Sequence, residues 1–537
     1  MIRKALLVPV CLFLFTFSLI AQTTKPKLVV GLVIDQMRWD YLYRYNALYG
    51  HGGFKRLLGQ GFSNENTFIP YVPTYTAVGH TCVFTGSVPA ITGIVGNNWF
   101  DKSLNRSVYC TEDSTSKTVG SNTTAGNMSP ANLWPTTITD ELRLSNNFKS
   151  KVIGIALKDR GAILPAGHSA NAAYWYDDKV GKWITSSYYM DNLPGWVNQF
   201  NAKDFPAKYM GKDWNTLLPI SKYNMSTADD KPYESTIKGE KTVVFPHRLS
   251  TLTGKYEAFK TTPFAATFTF DFAKAAIENE NMGKNSVPDF LTLSISSTDY
   301  IGHAFGPNSI EAEDTYLRLD NDIADFLTYL DKKLGAGNYL FFLTADHGVS
   351  HVPAFLNENR IPAGTFEDRD IAKELNETIE KQLGIKKAIK TVMNYQVYLN
   401  DDSIAVDDYN AVKKLVIKGL EKKQYIISAF DLKNLSATTL PSPQKERITN
   451  GYNPKRSGDI QFTFKPGYFD GGKRGTTHGA WNPYDAHIPL LWFGWKVKPG
   501  KSNREVYMTD ISATIAAMLQ IQMPSGSVGK AITELIK

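Results

Sequence analysis

The sequence predicts an α/β fold of the doubly wound kind, with helices on both faces of a mostly parallel central sheet. Five apolar runs have the length of buried strands: Leu28–Ile34, Lys151–Leu157, Phe290–Ile295, Tyr339–Leu343 and His487–Phe493. Helical patterns lie between them, and apolar residues in Glu311–Leu334 recur every three or four positions. Strands that alternate with helices are typical of parallel sheets. We therefore expect this architecture for most of the chain.

Two long segments interrupt the alternation and are predicted to be caps inserted into one domain that spans 22–537. The first, at about 171–281, is rich in Tyr, Trp, Lys and Asn and is punctuated by Gly, Pro and Asp. The second runs from about 357 to 467. Its helical patterns, Asp370–Leu383 and Val406–Lys422, are expected to lie on small strands.

Residues 1–21 have the features of a secretory signal peptide. Arg3 and Lys4 form a basic start, Ala5–Ile20 is apolar and uncharged, and Ala21 is a small residue suited to cleavage. An uncleaved anchor is the alternative, although the apolar run is short for a membrane span. The signal predicts a periplasmic or secreted protein, and no later segment has the apolar length of a span.

Composition places the chain among ordinary globular proteins, with 42% hydrophobic and 21% charged residues. The formal net charge of +7 is not clustered, so we expect no nucleic-acid partner. Without Arg3 and Lys4 the charge falls to +5. Cys82 and Cys110 remain after removal of the signal and could pair in an oxidising compartment.

Six side chains of the types that bind metals stand just after apolar runs or in a glycine-rich loop: Asp35, Asp299, His303, Asp346, His347 and His478. Ligands in parallel α/β sheets gather outside the carboxyl ends of the strands, so these side chains are expected to converge. Three Asp and three His without Cys form an oxygen and nitrogen ligand set suited to zinc. The sequence therefore predicts a two-metal hydrolytic enzyme.

Each of these motifs also has an ordinary structural explanation. Asp35 could be the N-cap of a helix that begins near Met37. The spacing of Asp299 and His303 puts two side chains on one face of a helical turn, although Gly302 suggests an irregular turn. Their convergence in space is what would separate the two explanations.

Thr76 is the predicted nucleophile, and Thr74 is the alternative. Both precede a helical run that contains Cys82–Phe84. A helix N-terminus favours an oxyanion and a bound phosphate. A Thr hydroxyl is a poor nucleophile until a metal or a base removes its proton. Local sequence does not choose between the two threonines, and Thr76 could simply cap the helix.

Positive charge and hydrogen bonds for an anion come from three further residues. Lys158 and Arg160 follow the run Lys151–Leu157 and could project toward the same sheet edge. Asn97 lies among glycines that let backbone and amide approach an anion closely. Surface charge and an ordinary turn are the alternative explanations.

These motifs resemble those of the alkaline phosphatase superfamily, and they are most similar to its monomeric, threonine-nucleophile branch, the PafA-type bacterial phosphatases. The resemblance covers nearly the whole mature chain in motif order: Val33–Arg38, Tyr75-Thr76 with Gly79-His80, Gly96-Asn97, Lys158–Leu164, Asp299 with His303, Ala345–Gly348 and Thr477–Gly479. Val78 stands where the family often has Pro, a position that carries no ligand.

The resemblance implies a role for each site residue. One zinc ion would be bound by Asp299, His303 and His478. The other would be bound by Asp35, Asp346 and His347, with Thr76 coordinated as its alkoxide. The non-bridging phosphoryl oxygens would be bound by Asn97, Lys158 and Arg160. Thr76 would attack phosphorus, and the phosphothreonine would then be hydrolysed. His487, at the start of a predicted strand, is the alternative to His478.

The expected activity is hydrolysis of phosphate monoesters by a monomeric enzyme. A phosphodiesterase or nucleotide pyrophosphatase on the same scaffold is the alternative. Lys158 with Arg160 favours a monoesterase, because two cations match the charge of a dianion. A sulfatase is disfavoured, since its nucleophile is a modified Cys or Ser and Cys82 lies too far into the helix. The many aromatic residues would also suit a carbohydrate-binding protein, which would not require zinc.

Overall fold

The computed structural model describes residues 25–536, so the predicted signal peptide lies outside the described residues. The central sheet has 11 strands. Five neighbouring strands run parallel, in the order Tyr339–Thr344, Leu28–Ile34, Asp289–Ile295, Val152–Ala156 and Ala172–Asp177. All five are buried along their whole length, as expected for a parallel sheet covered on both faces. The predicted fold class is confirmed.

Additional strands extend this parallel core at both edges. On one side Leu490–Gly494 pairs antiparallel with Tyr339–Thr344 and with Phe62–Phe68. Phe62–Phe68 also pairs with His487–Ile488 and Gly500–Tyr507. On the other side the antiparallel strands are Lys182–Ser186 and Thr118–Val119. The predicted strand His487–Phe493 is divided in two, because Pro489 has no N–H group for a ladder hydrogen bond.

Helices outside the second inserted segment connect these strands. Their bounds are Tyr41–Arg44, Phe54–Gln60, Thr76–Thr85, Pro89–Thr92, Ile138–Ser145, Asp159–Ala166, Gly195–Asn201, Phe205–Met210, Tyr256–Phe259, Phe264–Asn279, Ser297–Phe305, Ile310–Leu334, Pro353–Glu358, Pro483–Ala486 and Asp510–Leu519. Short 3-10 helices occupy Asn46–Leu48, Ile220–Lys222, Leu249–Leu252 and Thr533–Leu535. The long predicted helix is confirmed, and its N-cap is Ser309, whose hydroxyl oxygen accepts from Ala312 N at 3.1 Å.

The first inserted segment begins within the central sheet. Ala172–Asp177 and Lys182–Ser186 are strands of that sheet. A cap defined to start at residue 171 would therefore include two strands that belong to the central sheet. Near the end of the segment, Phe264–Asn279 packs against Ile310–Leu334. The residues between these elements form short helices and irregular turns. The limits of the cap therefore remain a prediction.

The second inserted segment has its own apolar core and its own sheet. Four antiparallel strands occur in the order Ile389–Met393, Gln396–Leu399, Ile460–Phe464 and Ile426–Asp431. Helices Asp368–Leu383 and Tyr409–Glu421 pack on these strands, as the sequence predicted. The remaining elements are the 3-10 helices Val406–Asp408 and Leu432–Ala437, the α-helix Ser442–Gly451, and two parallel strands, Gly364–Phe366 and Tyr468–Asp470. Elsewhere in the chain, a separate hairpin joins Asn98–Asp101 to Arg106–Tyr109.

The two cysteines of the described region do not form the disulfide that the sequence allowed. Cys82 and Cys110 are both buried and free. Cys82 lies in the helix Thr76–Thr85, whereas Cys110 packs in a small cluster with Trp99 and Leu133. Within residues 25–536, no helix combines the length and the apolar character that a membrane span requires.

Candidate active site

The functional side chains lie where neighbouring parallel strands end. Asp35 directly follows Leu28–Ile34, and its backbone N–H donates to Ile295 O at 3.1 Å. Asp299 lies in the first turn of the helix that follows the adjacent strand, and Asp346 follows the strand on the other side. Because these three strands are parallel and adjacent, their carboxyl ends bring together residues that are far apart in sequence.

Asp299, His303 and His478 form a first group of ligand atoms. Their ligand atoms lie within 4.8 Å of one another. Asp299 Oδ1 is 3.1 Å from His303 Nε2 and 3.6 Å from His478 Nε2. The irregular turn predicted from Gly302 is not present, so that prediction is wrong. Ser297–Phe305 is one continuous helix, which places Asp299 and His303 on one face.

Asp35, Asp299 and His347 form a second group, so Asp299 belongs to both. His347 Nε2 lies 3.5 Å from Asp35 Oδ1 and 3.3 Å from Asp346 Oδ2. Asp346 is thus beside the second group, although it is not one of its members. The alternative role of Asp35 as an N-cap is wrong, because the next helix begins only at Tyr41.

The three imidazoles present the same nitrogen to the carboxylates. Each Nδ1 is within hydrogen-bond distance of a backbone carbonyl oxygen: His303 to Thr476 at 2.7 Å, His478 to Thr74 at 2.7 Å and His347 to Gly348 at 2.9 Å. An Nδ1–H that donates in this way leaves Nε2 free to bind a metal. Burial lowers the pKa of His347, and burial with two neighbouring imidazoles lowers that of His478, which favours the neutral form that metals bind.

The charges of the site fit a divalent cation. Lys158 Nζ lies 2.7 Å from Asp35 Oδ2 and 2.5 Å from Asp299 Oδ2. Burial opposes the charge of Lys158, but Asp299 and Asp35 raise its pKa above the ordinary value. Asp35 Oδ1 and Asp346 Oδ2 are buried and accept no hydrogen bond among the described residues, although each lies within 3.5 Å of an imidazole nitrogen. Burial of a carboxylate oxygen without a hydrogen bond costs free energy unless a cation faces it. Together with the imidazole Nε2 atoms, these oxygens form a donor set suited to zinc.

Thr76 faces this group of side chains and Thr74 does not. Thr76 is the first residue of its helix, and its Oγ1 lies 3.5 Å from His347 Nε2 and 3.4 Å from Lys158 Nζ. The Thr74 hydroxyl instead donates to Ala480 O at 2.9 Å. Thr76 makes no side-chain capping bond, so the explanation that it merely caps the helix is wrong.

Asn97 and Lys158 lie beside Thr76, and Arg160 follows Lys158 in the next helix. Asn97 Oδ1 accepts from Ala77 N at 2.9 Å, which holds the amide beside the helix N-terminus. Lys158 is the residue before the helix Asp159–Ala166, and Arg160 lies in its first turn. Arg160 Nη1 is 3.1 Å from the hydroxyl oxygen of Tyr109. The structure therefore brings the predicted anion-binding side chains to the same end of the sheet.

Two residues within the motifs support the predicted ligands, and sequence reasoning assigned them no role. Gln36 Nε2 donates to Asp299 Oδ1 at 2.8 Å, and its backbone N–H donates to Asp346 Oδ1 at 3.1 Å. His80 Nδ1 lies 2.9 Å from Thr76 O and 3.2 Å from Asp346 Oδ2, so its ring packs between these two residues. Gly302 is the sequence feature that could have revealed the role of Gln36. A Cβ at this position would lie 1.8 Å from Gln36 Oε1, so only glycine leaves room for the Gln36 side chain.

Two other histidines lie outside the site. His351 contacts Asn308 Oδ1 at 2.6 Å and Arg38 Nη1 at 3.1 Å. His487 Nε2 is 2.7 Å from Glu65 O, and its ring stacks on Trp39. The geometry therefore favours His478 over His487 as the partner of Asp299.

Comparison with known proteins identifies the relatives of this chain. Residues 29–486 match the family described as type I phosphodiesterase / nucleotide pyrophosphatase. Alkaline phosphatase PhoV of Synechococcus elongatus is 55% identical, over 97% of this chain and 95% of its own. A Myroides odoratus protein named calcium-transporting ATPase is 52% identical, over 100% and 99%. The crystal structure of alkaline phosphatase PafA matches with a TM-score of 0.93 at 51% identity, over 96% and 99%.

The chain belongs to the type I phosphodiesterase / nucleotide pyrophosphatase family. Its high identity to PhoV and to PafA along nearly the whole chain places it among the PafA-type alkaline phosphatases of that family. It is therefore a hydrolase, and the predicted enzyme class is confirmed.

Proposed function

We propose that this alkaline phosphatase hydrolyses phosphate monoesters through a phosphothreonine intermediate on Thr76, with two zinc ions. The position of the Thr76 hydroxyl carries the proposal. It stands at a helix N-terminus, 3.5 Å from His347 and 3.4 Å from Lys158. A nucleophile in this position is close both to groups that stabilise its alkoxide and to a cation that attracts a phosphoryl group.

The proposed metal ligands form two sets. One set is Asp299, His303 and His478, and the other is Asp35, Asp346 and His347. The buried oxygens of Asp35 and Asp346 that accept no hydrogen bond among the described residues support this assignment. When bound, zinc supplies positive charge that lowers the pKa of a hydroxyl and stabilises the oxygens of an in-line displacement.

The side chains of the protein carry out the remaining steps. Thr76 loses its proton to solvent, and its oxygen forms a bond to phosphorus as the bond to the leaving alkoxide breaks; the alkoxide takes up a proton from solvent and leaves as the alcohol. Water then attacks phosphorus, the bond from phosphorus to Thr76 Oγ1 breaks, and inorganic phosphate leaves as Thr76 regains its proton. Asn97, Lys158 and Arg160 hold the three non-bridging oxygens in both steps. Electrostatic positioning is the main source of acceleration, because the transferring group spreads its charge over those oxygens.

A preference for monoesters follows from the charge of this site. Lys158 and Arg160 together match a dianionic phosphoryl group, whereas a diester carries a single negative charge. The terminal phosphoryl group of a nucleoside triphosphate is also a dianion at alkaline pH. The ATPase name of the Myroides relative is therefore compatible with the same chemistry.

A three-substrate comparison tests this proposal. We expect the purified enzyme to turn over an aryl phosphate much faster than an aryl phosphate diester or an aryl sulfate, and a chelator should abolish the turnover. Lys158→Ala with Arg160→Ala should lower monoester kcat/KM by about 1,000-fold and diester kcat/KM by less than about tenfold. Equal losses on both esters would contradict the monoesterase assignment.

A double variant elsewhere provides the matched control. Lys238 and Arg248 are exposed cations of the first inserted segment, paired with Glu257 and Asp213. Their replacement by Ala removes the same charge from the chain and should leave both activities unchanged. A loss in this control would mean that total charge, and not the site, governs the rate.

We also propose that the mature enzyme is a monomer exported to the periplasm or the exterior. The features of residues 1–21 support export, and similarity to PafA-type enzymes supports a monomer. N-terminal sequencing of secreted material and light scattering of the purified protein test these statements. An intact Met1 or a stable dimer would contradict them.

A further inference from the structure

Tyr300 connects the site to the first inserted segment. It stands next to Asp299 in the helix Ser297–Phe305. The Lys158 ammonium nitrogen lies 5.2 Å from the centre of the Tyr300 ring, and that of Lys260 lies 5.0 Å from it. Lys260 directly follows the helix Tyr256–Phe259 in the inserted segment.

Both ammonium groups are within the range in which an aromatic ring attracts a cation. The contact is stronger where water is excluded, and the Lys158 and Lys260 side chains are only 2% and 15% exposed. Asp178 forms an ion pair with Lys260, so Lys260 has a fixed place against the ring. The two positive charges share one ring because each also has carboxylate partners.

The contact with Tyr300 differs from the other contacts of Lys158. Asp35 and Asp299, the carboxylates that bind its ammonium group, are also proposed metal ligands. Metal binding would engage these carboxylates, but it makes no demand on the Tyr300 ring. The ring is therefore a contact that can hold Lys158 in place while it binds a phosphoryl oxygen.

We propose that Tyr300 and Lys260 are positioning residues for Lys158, and that the first inserted segment thereby contributes to monoester selectivity. Tyr300 orients the Lys158 ammonium group, whereas Lys260 fixes the ring and adds a third positive charge near the phosphoryl group. This inference rests on the proposed role of Lys158 in binding phosphate. It gives the inserted segment a function beyond covering the sheet.

Three variants test the inference, with aryl phosphate and aryl phosphate diester as substrates and inorganic phosphate as a competitive inhibitor. We expect Tyr300→Leu to lower monoester kcat/KM and to raise the phosphate inhibition constant by about 3- to 10-fold. Tyr300→Phe keeps the ring and should stay within about twofold of the wild type. Lys260→Met should fall between them, and diester kcat/KM should change less than about twofold in all three.

Lys203→Met is the matched control. Its ammonium group also lies over aromatic rings, 5.9 Å from Phe200 and 5.8 Å from Phe205, within the same inserted segment. It should leave both activities and the phosphate inhibition constant unchanged. Comparable losses in Lys203→Met and Lys260→Met would overturn the inference, because the effect would then belong to the segment in general.

Two other outcomes would also overturn it: equal losses on monoester and diester, or a Tyr300→Phe variant as impaired as Tyr300→Leu. If thermal melts show that Tyr300→Leu does not fold, the comparison of Lys260→Met with Lys203→Met decides the question. In that case, an unchanged ratio of monoester to diester kcat/KM in Lys260→Met would overturn the inference. The monoesterase proposal is judged separately, on the wild-type enzyme, so its failure is distinguishable.

Discussion

Asp299 contacts several other residues of the site, whereas its sequence motif suggested only the pairing with His303. It contacts His303, Lys158 and Gln36, and it belongs to both groups of ligand atoms. Burial opposes its negative charge, but His303 and Lys158 hold its pKa well below the ordinary value. Asp299 is therefore in the anionic form that a metal ligand requires.

Removal of the Thr76 hydroxyl should eliminate the proposed covalent step. We expect Thr76→Ala to lower kcat/KM for an aryl phosphate by at least about 1,000-fold, because no other hydroxyl replaces the nucleophile. Thr76→Ser should lose less, and acid-quenched samples of the wild type should contain phosphate on Thr76. Thr85→Ala is the control, since Thr85 is buried at the other end of the same helix. A Thr76→Ala enzyme within tenfold of the wild type would exclude the mechanism.

Gln36 should affect metal binding without being a ligand. Gln36→Leu removes the hydrogen bond to Asp299, and loss of such a supporting contact weakens metal affinity by about 10- to 100-fold. Gly302→Ala should act similarly, because its Cβ would displace the Gln36 amide. Zinc competition with a chelator measures the affinity of each variant. Unchanged affinity in both would show that Gln36 does not position Asp299.

For single residues, the sequence predicted which side chains belong to the site better than it predicted which of them contact one another. Asp35, Asp346 and His478 could be found because each follows an apolar run or lies among glycines. The support of Asp299 by Gln36 could not be found, because these residues are 263 positions apart. The contact depends on the order of strands in the sheet, which no local pattern contains.

Among the elements, four buried strands of the parallel core were predicted almost to the residue, whereas the fifth, Ala172–Asp177, was assigned to the first inserted segment. Leu28–Ile34 agrees in full, since a strand buried on both faces is a continuous apolar run. Gly500–Tyr507 was not predicted, because it is mostly exposed and polar and thus lacks that signal. Val406–Lys422 divides into a 3-10 turn and the helix Tyr409–Glu421. Element ends depend on local geometry that periodicity does not define.

A buried ionic contact attaches the first inserted segment to the helix Ile310–Leu334. His247 Nδ1 is 2.8 Å from Glu240 Oε2, and its Nε2 is 3.2 Å from Glu311 Oε1. Burial opposes the charge of His247, but the hydrogen bonds to Glu240 and Glu311 raise its pKa to about 9. Burial, then Glu311 and the nearby Asp229, raise the pKa of Glu234 to about 9.

Stability should therefore decrease at alkaline pH. The raised pKa of His247 means that its contribution is fully present below about pH 6.5 and is lost as the pH rises through about 9, a loss of about 3 kcal/mol. Glu234 acts in the same direction, because the folded state retains its proton up to about pH 9. The melting temperature should fall between pH 7 and pH 10, and less so in His247→Gln. An equal fall in both proteins would contradict this explanation.

For the whole molecule, the topology of the sheet creates the site. The proposed ligands extend from Asp35 to His478, and three adjacent parallel strands bring most of them to one edge. The sequence predicted that edge because parallel strands share the direction of their carboxyl ends. It could not predict that Lys260 lies over the Tyr300 ring, since the packing of an inserted segment depends on the finished fold.

The most direct test measures aryl phosphate turnover and bound zinc per chain on the same samples while a chelator removes the metal. We predict two zinc ions per chain, parallel loss of zinc and turnover, and recovery of both when zinc is restored. The melting temperature should fall in the same samples, because a metal that binds only the folded state stabilises it. Full turnover by protein that contains no divalent metal would contradict the account.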